Sequence, residues 1–244
     1  MDGRSFNAIQ NLDSGIVNFE DIIVSKPWGE EYLVYENEQV ALWLLYIKQN
    51  ESTSLHCHPL KTTGMILLSG EVELSFLADK RILNAPAKAM IRRGLFHSTK
   101  ALSKNGAFLF EIETPNDKLD LIRLDDTYGR KNLGYETSIN HIEKNSDSLS
   151  ITTPKNLDIN FYTIKNVKFE VFRVNSLDKF TTCRNDDIYV FLDGGIGKYV
   201  DERKHLVTVP GDVAYGSILS KIARQMDFVS EDTLVIKLGN DDSK

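Results

Sequence analysis

Apolar and polar residues alternate in short runs along most of the chain, and turn residues separate the runs. Residues 71–76 alternate strictly. Residues 107–113 form another strand pattern, with Phe108, Phe110 and Ile112 on one face and Leu109, Glu111 and Glu113 on the other. A period of two predicts half-buried β-strands. No segment before residue 137 has the 3.6-residue period of a long helix. The pattern therefore predicts an all-β chain.

The strand predicted at residues 40–48 departs from this alternation, because residues 41–47 are apolar on both faces and therefore predict a central strand. A polar stretch at residues 140–150, which we interpret as a linker with one helical turn, precedes a second set of strand patterns. These second-half strands are predicted at residues 167–174, 187–192, 197–200, 206–209 and 233–238. Residues 189–194 echo residues 65–70, which indicates that the second half is a faded repeat of the first.

Composition limits the possible classes of function. The chain has 244 residues, of which 41% are hydrophobic, so we expect a packed core. Its formal net charge of −6 argues against unspecific nucleic-acid binding, which depends on Lys and Arg. No apolar run has the length of a membrane span, and residues 1–5 lack the apolar region of a signal peptide. With two distant cysteines, Cys57 and Cys183, we expect a cytoplasmic protein without membrane or nucleic-acid partners.

Three of the five histidines form a pattern with metal-binding spacing. In a strand, residues i and i+2 point to the same face, so His56 and His58 project side by side while Cys57 points away. Two imidazoles at this spacing can hold one divalent ion. His97 follows one long hairpin later, where a barrel can bring it to the same point. The sequence therefore predicts a three-imidazole site.

A wider pattern surrounds these histidines. It consists of His56-x-His58, Gly70 twelve residues further on, and then Gly94-x-x-His97. This order resembles the two metal-binding motifs of the cupin superfamily. The resemblance adds a fold and a chemistry to what the spacing alone indicates.

Other segments narrow the resemblance, and one position departs from it. Residues 26–32 resemble the first strand of type II mannose-6-phosphate isomerase cupins, and residues 120–130 resemble their exit segment ending in Asp-x-Tyr-Gly-Arg. The cupin pattern has a glutamate seven residues before the first glycine as a fourth metal ligand, where this chain has Thr63. The resemblance implies that the site binds its ion without that carboxylate.

The resemblance implies a bicupin of two jelly-roll β-barrels, the second degenerate. We predict a mobile N-terminal arm at residues 1–15, a metal-binding cupin domain at 16–139, a linker at 140–155 and a degenerate second cupin domain at 156–244. The second domain has His205 alone, and Asp187 at the glutamate position is interpreted as solvated or hydrogen-bonded, so we expect no metal there. Because cupins commonly pair through their sheets, we expect a homodimer.

The resemblance also implies the chemistry. His56, His58 and His97 would hold one divalent metal ion, and Zn, Fe, Mn, Ni and Co all suit three imidazoles. The implied substrate is a sugar phosphate or nucleotide-activated sugar. The implied reaction is isomerase-like, between aldose and ketose, within carbohydrate or polysaccharide biosynthesis. Two other functions stay open, a three-histidine Fe(II) dioxygenase and a non-catalytic sugar-binding cupin.

Four residues are candidates for catalytic roles in such a reaction. Glu111 or Glu113 would be the base if burial raises its pKa, although acidic residues that alternate out of a strand are commonly solvated. Arg130 or Lys61 would meet the substrate phosphate. The alternative for Arg130 is an ion pair with Asp126 that closes its own loop.

Overall fold

The computed structural model describes residues 19–135 and 141–239, and the predicted N-terminal arm at residues 1–15 lies outside them. Within these residues the chain consists mainly of antiparallel strands. The strands are β1 (Ile22–Lys26), β2 (Gly29–Glu36), β3 (Ala41–Ile47), β4 (Leu55–Cys57), β5 (Thr62–Ser69), β6 (Glu71–Phe76), β7 (Lys80–Asn84), β8 (Ala87–Ile91), β9 (His97–Ala101), β10 (Ala107–Thr114), β11 (Ile122–Asp125), β12 (His141–Glu143), β13 (Ile159–Ile164), β14 (Val167–Arg173), β15 (Ile188–Asp193), β16 (Ile196–Val200), β17 (Arg203–Leu206), β18 (Val213–Tyr215), β19 (Phe228–Val229) and β20 (Leu234–Leu238). Two short helices are α1 (Asp178–Thr181) and α2 (Gly216–Ala223).

The first half forms a barrel from two sheets that pack face to face. One sheet has the strand order β12-β1-β2-β3-β10-β5-β8, and the other has the order β11-β4-β9-β6-β7. Their inner faces enclose a core that includes Trp43, Leu45, Leu67, Leu74 and Leu109. These residues occupy every second position of their strands, as expected when one face of each strand points into a barrel.

The second half forms a smaller barrel. Its sheets have the orders β13-β14-β20-β15-β18 and β17-β16-β19. Helix α2 covers the core by burying Leu219 and Ala223, which lie four residues apart on one helical face. Phe180 of α1 packs into the same core beside Phe191. This half is therefore a reduced barrel in which two short helices complete the packing.

The two barrels share a third core between their large sheets. Leu42 and Leu44 of β3 pack against residues of the second barrel such as Ile236, while Trp43 and Leu45 face the interior of the first barrel. This explains why β3 is apolar on both faces. The central strands of this large sheet are thus buried on both sides, with one face in the interior of the first barrel and the other against the second barrel.

Strand β5 approaches the second barrel so closely that one of its positions has no room for a side chain. A Cβ atom at Gly64 would lie 2.5 Å from Ile112 Cγ2 and 2.6 Å from Val213 Cγ2. Either contact is shorter than van der Waals packing allows. Glycine at this position therefore sets the closeness of the two barrels.

The predicted fold class is confirmed, because the chain is all-β with two jelly-roll barrels, the second reduced. The helical turn predicted within residues 140–150 is wrong, since β12 lies there and pairs with β1. A three-residue edge strand is held by backbone hydrogen bonds and needs no apolar pattern. The strand predicted at residues 206–209 lies earlier, at Arg203–Leu206, and is exposed. No helix within the described ranges has the length and hydrophobicity to cross a membrane.

Candidate metal centre

The small sheet of the first barrel brings the three predicted histidines together. His56 on β4 lies directly opposite His97 on β9, and His58 follows immediately after β4. The ring centroids are 4.4 Å apart for His56 and His97, 4.9 Å for His56 and His58, and 5.6 Å for His58 and His97. One nitrogen from each ring lies within 4.8 Å of the others. Two separate sequence motifs therefore converge on one point inside the barrel.

The backbone fixes the tautomer of all three rings. His56 Nδ1 lies 2.8 Å from the carbonyl oxygen of Ser54, and His97 Nδ1 lies 3.0 Å from that of Leu95. His58 Nδ1 lies 2.6 Å from the carbonyl oxygen of Asp120. A carbonyl oxygen only accepts hydrogen bonds, so each Nδ1 carries the proton and each Nε2 keeps its lone pair.

Two of these lone pairs lack partners within the part of the chain that the structure describes. Among the described residues, the buried Nε2 atoms of His58 and His97 have no hydrogen-bond partner. Burial lowers the pKa of His97 to about 4 and lowers the pKa of His58, and burial with its two histidine neighbours lowers that of His56 well below its usual value. The rings are therefore neutral near pH 7, which is the protonation state that binds a metal.

This arrangement fits a divalent metal ion. Buried nitrogen acceptors without partners are costly, and an ion bound at their common point would satisfy them. The Nδ1–H groups donate hydrogen bonds to carbonyl oxygens, and metal-binding histidines in proteins are commonly oriented by a hydrogen bond from the ring nitrogen that does not bind the metal. His56, His58 and His97 are the residues that would hold the ion.

Asp120 supports His58 without facing the metal point. Its carbonyl oxygen holds the His58 ring, and its side-chain Oδ2 accepts hydrogen bonds from the backbone N–H groups of Leu60 and Lys61 at 2.9 and 2.8 Å. The carboxylate therefore locks the turn that follows the histidine pair. A residue 60 positions along the chain controls the geometry of this turn.

We expect Asp120→Ala to weaken metal binding although Asp120 is not a proposed ligand. Loss of the carboxylate frees the turn at Leu60 and Lys61 and with it the orientation of the His58 ring. Loss of such an outer partner typically costs about 10–100-fold in metal affinity. Titration with Zn²⁺ against a chromophoric chelator measures the change, and Asp117→Ala serves as the neighbouring control. Equal affinities of Asp120→Ala and wild type would contradict the supporting role.

A cavity opens beside the three rings and contains about 690 Å³ of space, counted out to solvent at its mouth. Glu111 and Glu113 of β10 line it, and so does Lys61. Glu113 is 2% exposed and its Oε1 lies 3.0 Å from the Nζ of Lys61, which is 1% exposed. The solvated interpretation of these glutamates is therefore wrong for Glu113. Burial and the charge of Glu113 raise the pKa of the half-buried Glu111 to about 7.

A buried charge cluster forms another wall of this cavity. Glu31 Oε1 lies 3.2 Å from Lys118 Nζ and 3.6 Å from Lys26 Nζ, and it accepts a 2.5 Å hydrogen bond from Tyr135 Oη. Lys118 Nζ also sits 3.6 Å from the centroid of the Trp43 ring. Burial alone would raise the pKa of Glu31, but the two lysines and the tyrosine outweigh it and lower the pKa to about 2.

The candidate list from sequence lacked this cluster. Glu30 and Glu31 are adjacent on β2 and therefore face opposite sides of the sheet. Glu31 lies two residues before the core residue Leu33, so the period of two is the signal that could have indicated its inward direction. Lys26 belongs to the segment that carried the family resemblance, but Lys118 and Tyr135 lie in irregular segments where no period applies. Their proximity depends on tertiary packing.

Arg130 lines the cavity and also closes its own loop. Its Nη2 lies 2.7 Å from Asp126 Oδ1 and its Nε lies 3.1 Å from Asp126 Oδ2. The ion pair considered as an alternative for Arg130 is therefore present. Arg123 holds the same segment, because its Nη1 donates to the carbonyl oxygens of Leu133 and Gly134. The two arginines keep residues 126–135 against the barrel mouth.

The corresponding region of the second barrel differs. His205 is exposed on β17, and Asp187 is buried, with its Oδ2 3.6 Å from Lys237 Nζ. Burial raises the pKa of Asp187. Asp187 is thus not solvated, and of the two interpretations the structure supports the hydrogen-bonded one, with Lys237 as the partner. Absence of metal from this barrel stays a prediction.

Comparison with known proteins gives distant structural neighbours. No protein-family model matches the sequence, and the search of curated proteins gives no match. Solved structures that match include KdgF from Halomonas sp. (14% identity, TM-score 0.36, covering 38% of this chain and 84% of KdgF). Another is the Schizosaccharomyces pombe Cnp3 cupin domain (14% identity, TM-score 0.34, covering 36% of this chain and 64% of that domain). A third is the capsular polysaccharide assembling protein CapF from Staphylococcus aureus (13% identity, TM-score 0.38, covering 43% of this chain and 34% of CapF).

Proposed function

We propose that this protein is a metal-dependent cupin enzyme that acts on a sugar phosphate or nucleotide-activated sugar in an isomerase-like reaction. The observation that carries the proposal is the set of three neutral imidazoles, each with its Nδ1 proton held by a carbonyl oxygen, beside buried glutamates in one cavity. Such a set binds a divalent ion and leaves coordination positions open. A bound ion supplies Lewis acidity that polarises a substrate carbonyl.

The charge of the cavity supports an anionic substrate. The lining includes more cationic than acidic side chains, namely Lys26, Lys61, Lys118, Arg123 and Arg130 against Glu31, Glu111 and Glu113. A divalent ion would add to this positive excess. A low-dielectric cavity strengthens the attraction for an anion. A phosphate or a nucleoside diphosphate group matches this charge better than a neutral sugar does.

Glu111 is the better candidate for the base of this reaction. Glu113 is engaged by Lys61 at 3.0 Å and lies 3.8 Å from Lys118, whereas Glu111 is half-buried and open to the cavity. The carboxylate would take the proton from the hydroxyl-bearing carbon beside the carbonyl and return it to the former carbonyl carbon, while the hydroxyl proton passes to the former carbonyl oxygen. Lys61 and Lys118 would hold the anionic end of the substrate or orient Glu113.

We expect the purified protein to exchange a substrate proton with solvent. The test incubates metal-loaded protein in D₂O with a panel of sugar phosphates and nucleotide sugars, and NMR detects deuterium at the carbon beside the carbonyl. Glu111→Gln should lower the exchange rate by about 10²–10⁴-fold, which is the usual contribution of a general base. The metal content of both proteins is measured in parallel and should be equal.

The same experiment separates the competing functions. Deuterium entry into one sugar class, lost in Glu111→Gln, supports the isomerase-like reaction. Bound iron with oxygen uptake and no deuterium entry would replace it with a dioxygenase. Saturable sugar binding without exchange or oxygen uptake would leave a sugar-binding cupin and refute catalysis.

A further inference from the structure

The lost cupin glutamate has a neighbour that can take its place. Thr63 on β5 stands directly opposite Glu113 on β10, as Met65 stands opposite Glu111. Directly opposed residues of antiparallel strands point to the same face, with Cβ atoms about 4.5–5.5 Å apart. Met65, Glu111 and Glu113 line the cavity beside the histidines, so Thr63 shares that face. Thr63 and Glu113 are therefore cross-strand neighbours on the face that points into the cavity.

Both side chains at this pair carry unsatisfied polar atoms. Thr63 is fully buried, and its Oγ1 has no hydrogen-bond partner among the described residues. Glu113 uses Oε1 for Lys61, while its buried Oε2 has no partner in the same part of the chain. A buried carboxylate oxygen without a partner is costly, and a metal ion is one group that would satisfy it. Two of the three imidazoles that line the same cavity have nitrogens without a partner in residues 19–135 and 141–239.

We infer that Glu113 supplies the fourth, carboxylate ligand of the metal in place of the residue that Thr63 has replaced. The inference rests on the proposed metal site. In the structure the ligand atoms within 4.8 Å of one another belong to the three histidines, so ligation requires Glu113 to rotate about its side-chain bonds. Its carboxylate oxygens lie three bonds beyond Cβ, and the small Thr63 side chain leaves the neighbouring position without a competing carboxylate.

Lys61 has a defined role in this arrangement. In the present rotamer it holds Oε1 of Glu113 at 3.0 Å, while Oε2 has no partner among the described residues. If the flexible Lys61 side chain follows Oε1 when Glu113 turns toward the histidines, one carboxylate would bridge a lysine and an ion. Metal-binding carboxylates are commonly held by a hydrogen bond in this way. The base role then belongs to Glu111, which lies two residues away on the same strand face.

Metal binding by matched variants tests the inference. Wild type, Glu113→Gln, Glu111→Gln and the double variant Thr63→Glu/Glu113→Gln are titrated with Zn²⁺ against a chelator, and their Co²⁺ absorption spectra are recorded. We expect Glu113→Gln to bind at least about tenfold more weakly and to show a changed Co²⁺ spectrum. Glu111→Gln should match wild type. The double variant should recover most of the affinity, because it returns a carboxylate to position 63.

The outcomes are distinguishable from failure of the metal site itself. Wild type without metal would refute the proposed site. Wild type that binds metal, with a Co²⁺ spectrum identical in Glu113→Gln, would overturn the inference even if the affinity falls, since a merely structural role leaves the ligand set unchanged. If Glu113→Gln does not fold, Glu113→Asp keeps the charge beside Lys61 but withdraws the carboxylate by one methylene. An unchanged spectrum in that variant would equally overturn the inference.

Discussion

Replacing His56 and His58 together by alanine is expected to abolish metal binding. The change removes two of the three nitrogen ligands, and His97 with the carboxylate of Glu113 would leave too few ligands for tight binding. Elemental analysis after dialysis should find about one metal ion per wild-type chain and none in the double variant. Because bound metal stabilises the folded state, adding Zn²⁺ should raise the Tm of wild type and leave that of the variant unchanged.

His205→Ala is the matched control for this prediction, because His205 is an exposed histidine of the second barrel. It should keep the metal content and the Zn²⁺-dependent rise in Tm. Equal metal content in wild type and in His56→Ala/His58→Ala would show that the ion binds elsewhere. The candidate centre would then be a set of buried histidines without a ligand.

Glu31→Gln should lower the free energy of unfolding by about 3–5 kcal/mol at pH 7, the usual cost of removing one partner from a buried ion pair. Glu31 is 4% exposed and balances Lys26 and Lys118, which remain buried in the variant. Tyr135 also loses its charged acceptor. Chemical denaturation of both proteins measures the difference.

The pH dependence of this difference has a defined sign. Lys118, Lys26 and Tyr135 overcome the effect of burial and lower the pKa of Glu31 to about 2, from 4.5 in a free glutamate. A lowered acid pKa gives stability that is fully present above the free value and is lost as pH falls through the folded value. The gap between wild type and Glu31→Gln should therefore be constant above about pH 5 and shrink toward pH 2.

Glu30→Gln provides the control, since Glu30 is the adjacent glutamate and points to the other face of β2. It should change stability by no more than about 0.5 kcal/mol. A Glu31→Gln variant as stable as Glu30→Gln at pH 7 would contradict the balancing role of Glu31. A gap that does not narrow on acidification would contradict the lowered pKa.

Much of the candidate site could be predicted from the sequence, because the spacing of residues within short segments determines which side chains share a face. The i, i+2 spacing of His56 and His58 fixes their common face once the segment is a strand, and Gly94-x-x-His97 places the third ring after a turn. The period of β10 likewise groups Glu111 with Glu113. The pattern alone left open whether that shared face points to solvent or into the barrel.

The rest depends on contacts between distant segments. Glu31, Lys118 and Tyr135 meet because irregular segments fold over the barrel mouth, and no periodic signal connects them. The tautomers depend on backbone carbonyl oxygens, which every residue type carries. Residue identities therefore do not indicate which carbonyl groups will lie beside the histidine rings. The short helix α2 was not predicted either, since eight residues give too few turns for a clear period.

The two faces of β10 lie in different surroundings, and this restricts insertions and deletions within the strand. Phe110 and Ile112 pack against the second barrel, while Glu111 and Glu113 face the histidines. One inserted or deleted residue within this strand would exchange the two sets, placing carboxylates in the apolar core and a phenyl ring among the imidazoles. Homologues should therefore tolerate gaps in the turns on either side of β10 but conserve the number of residues between them.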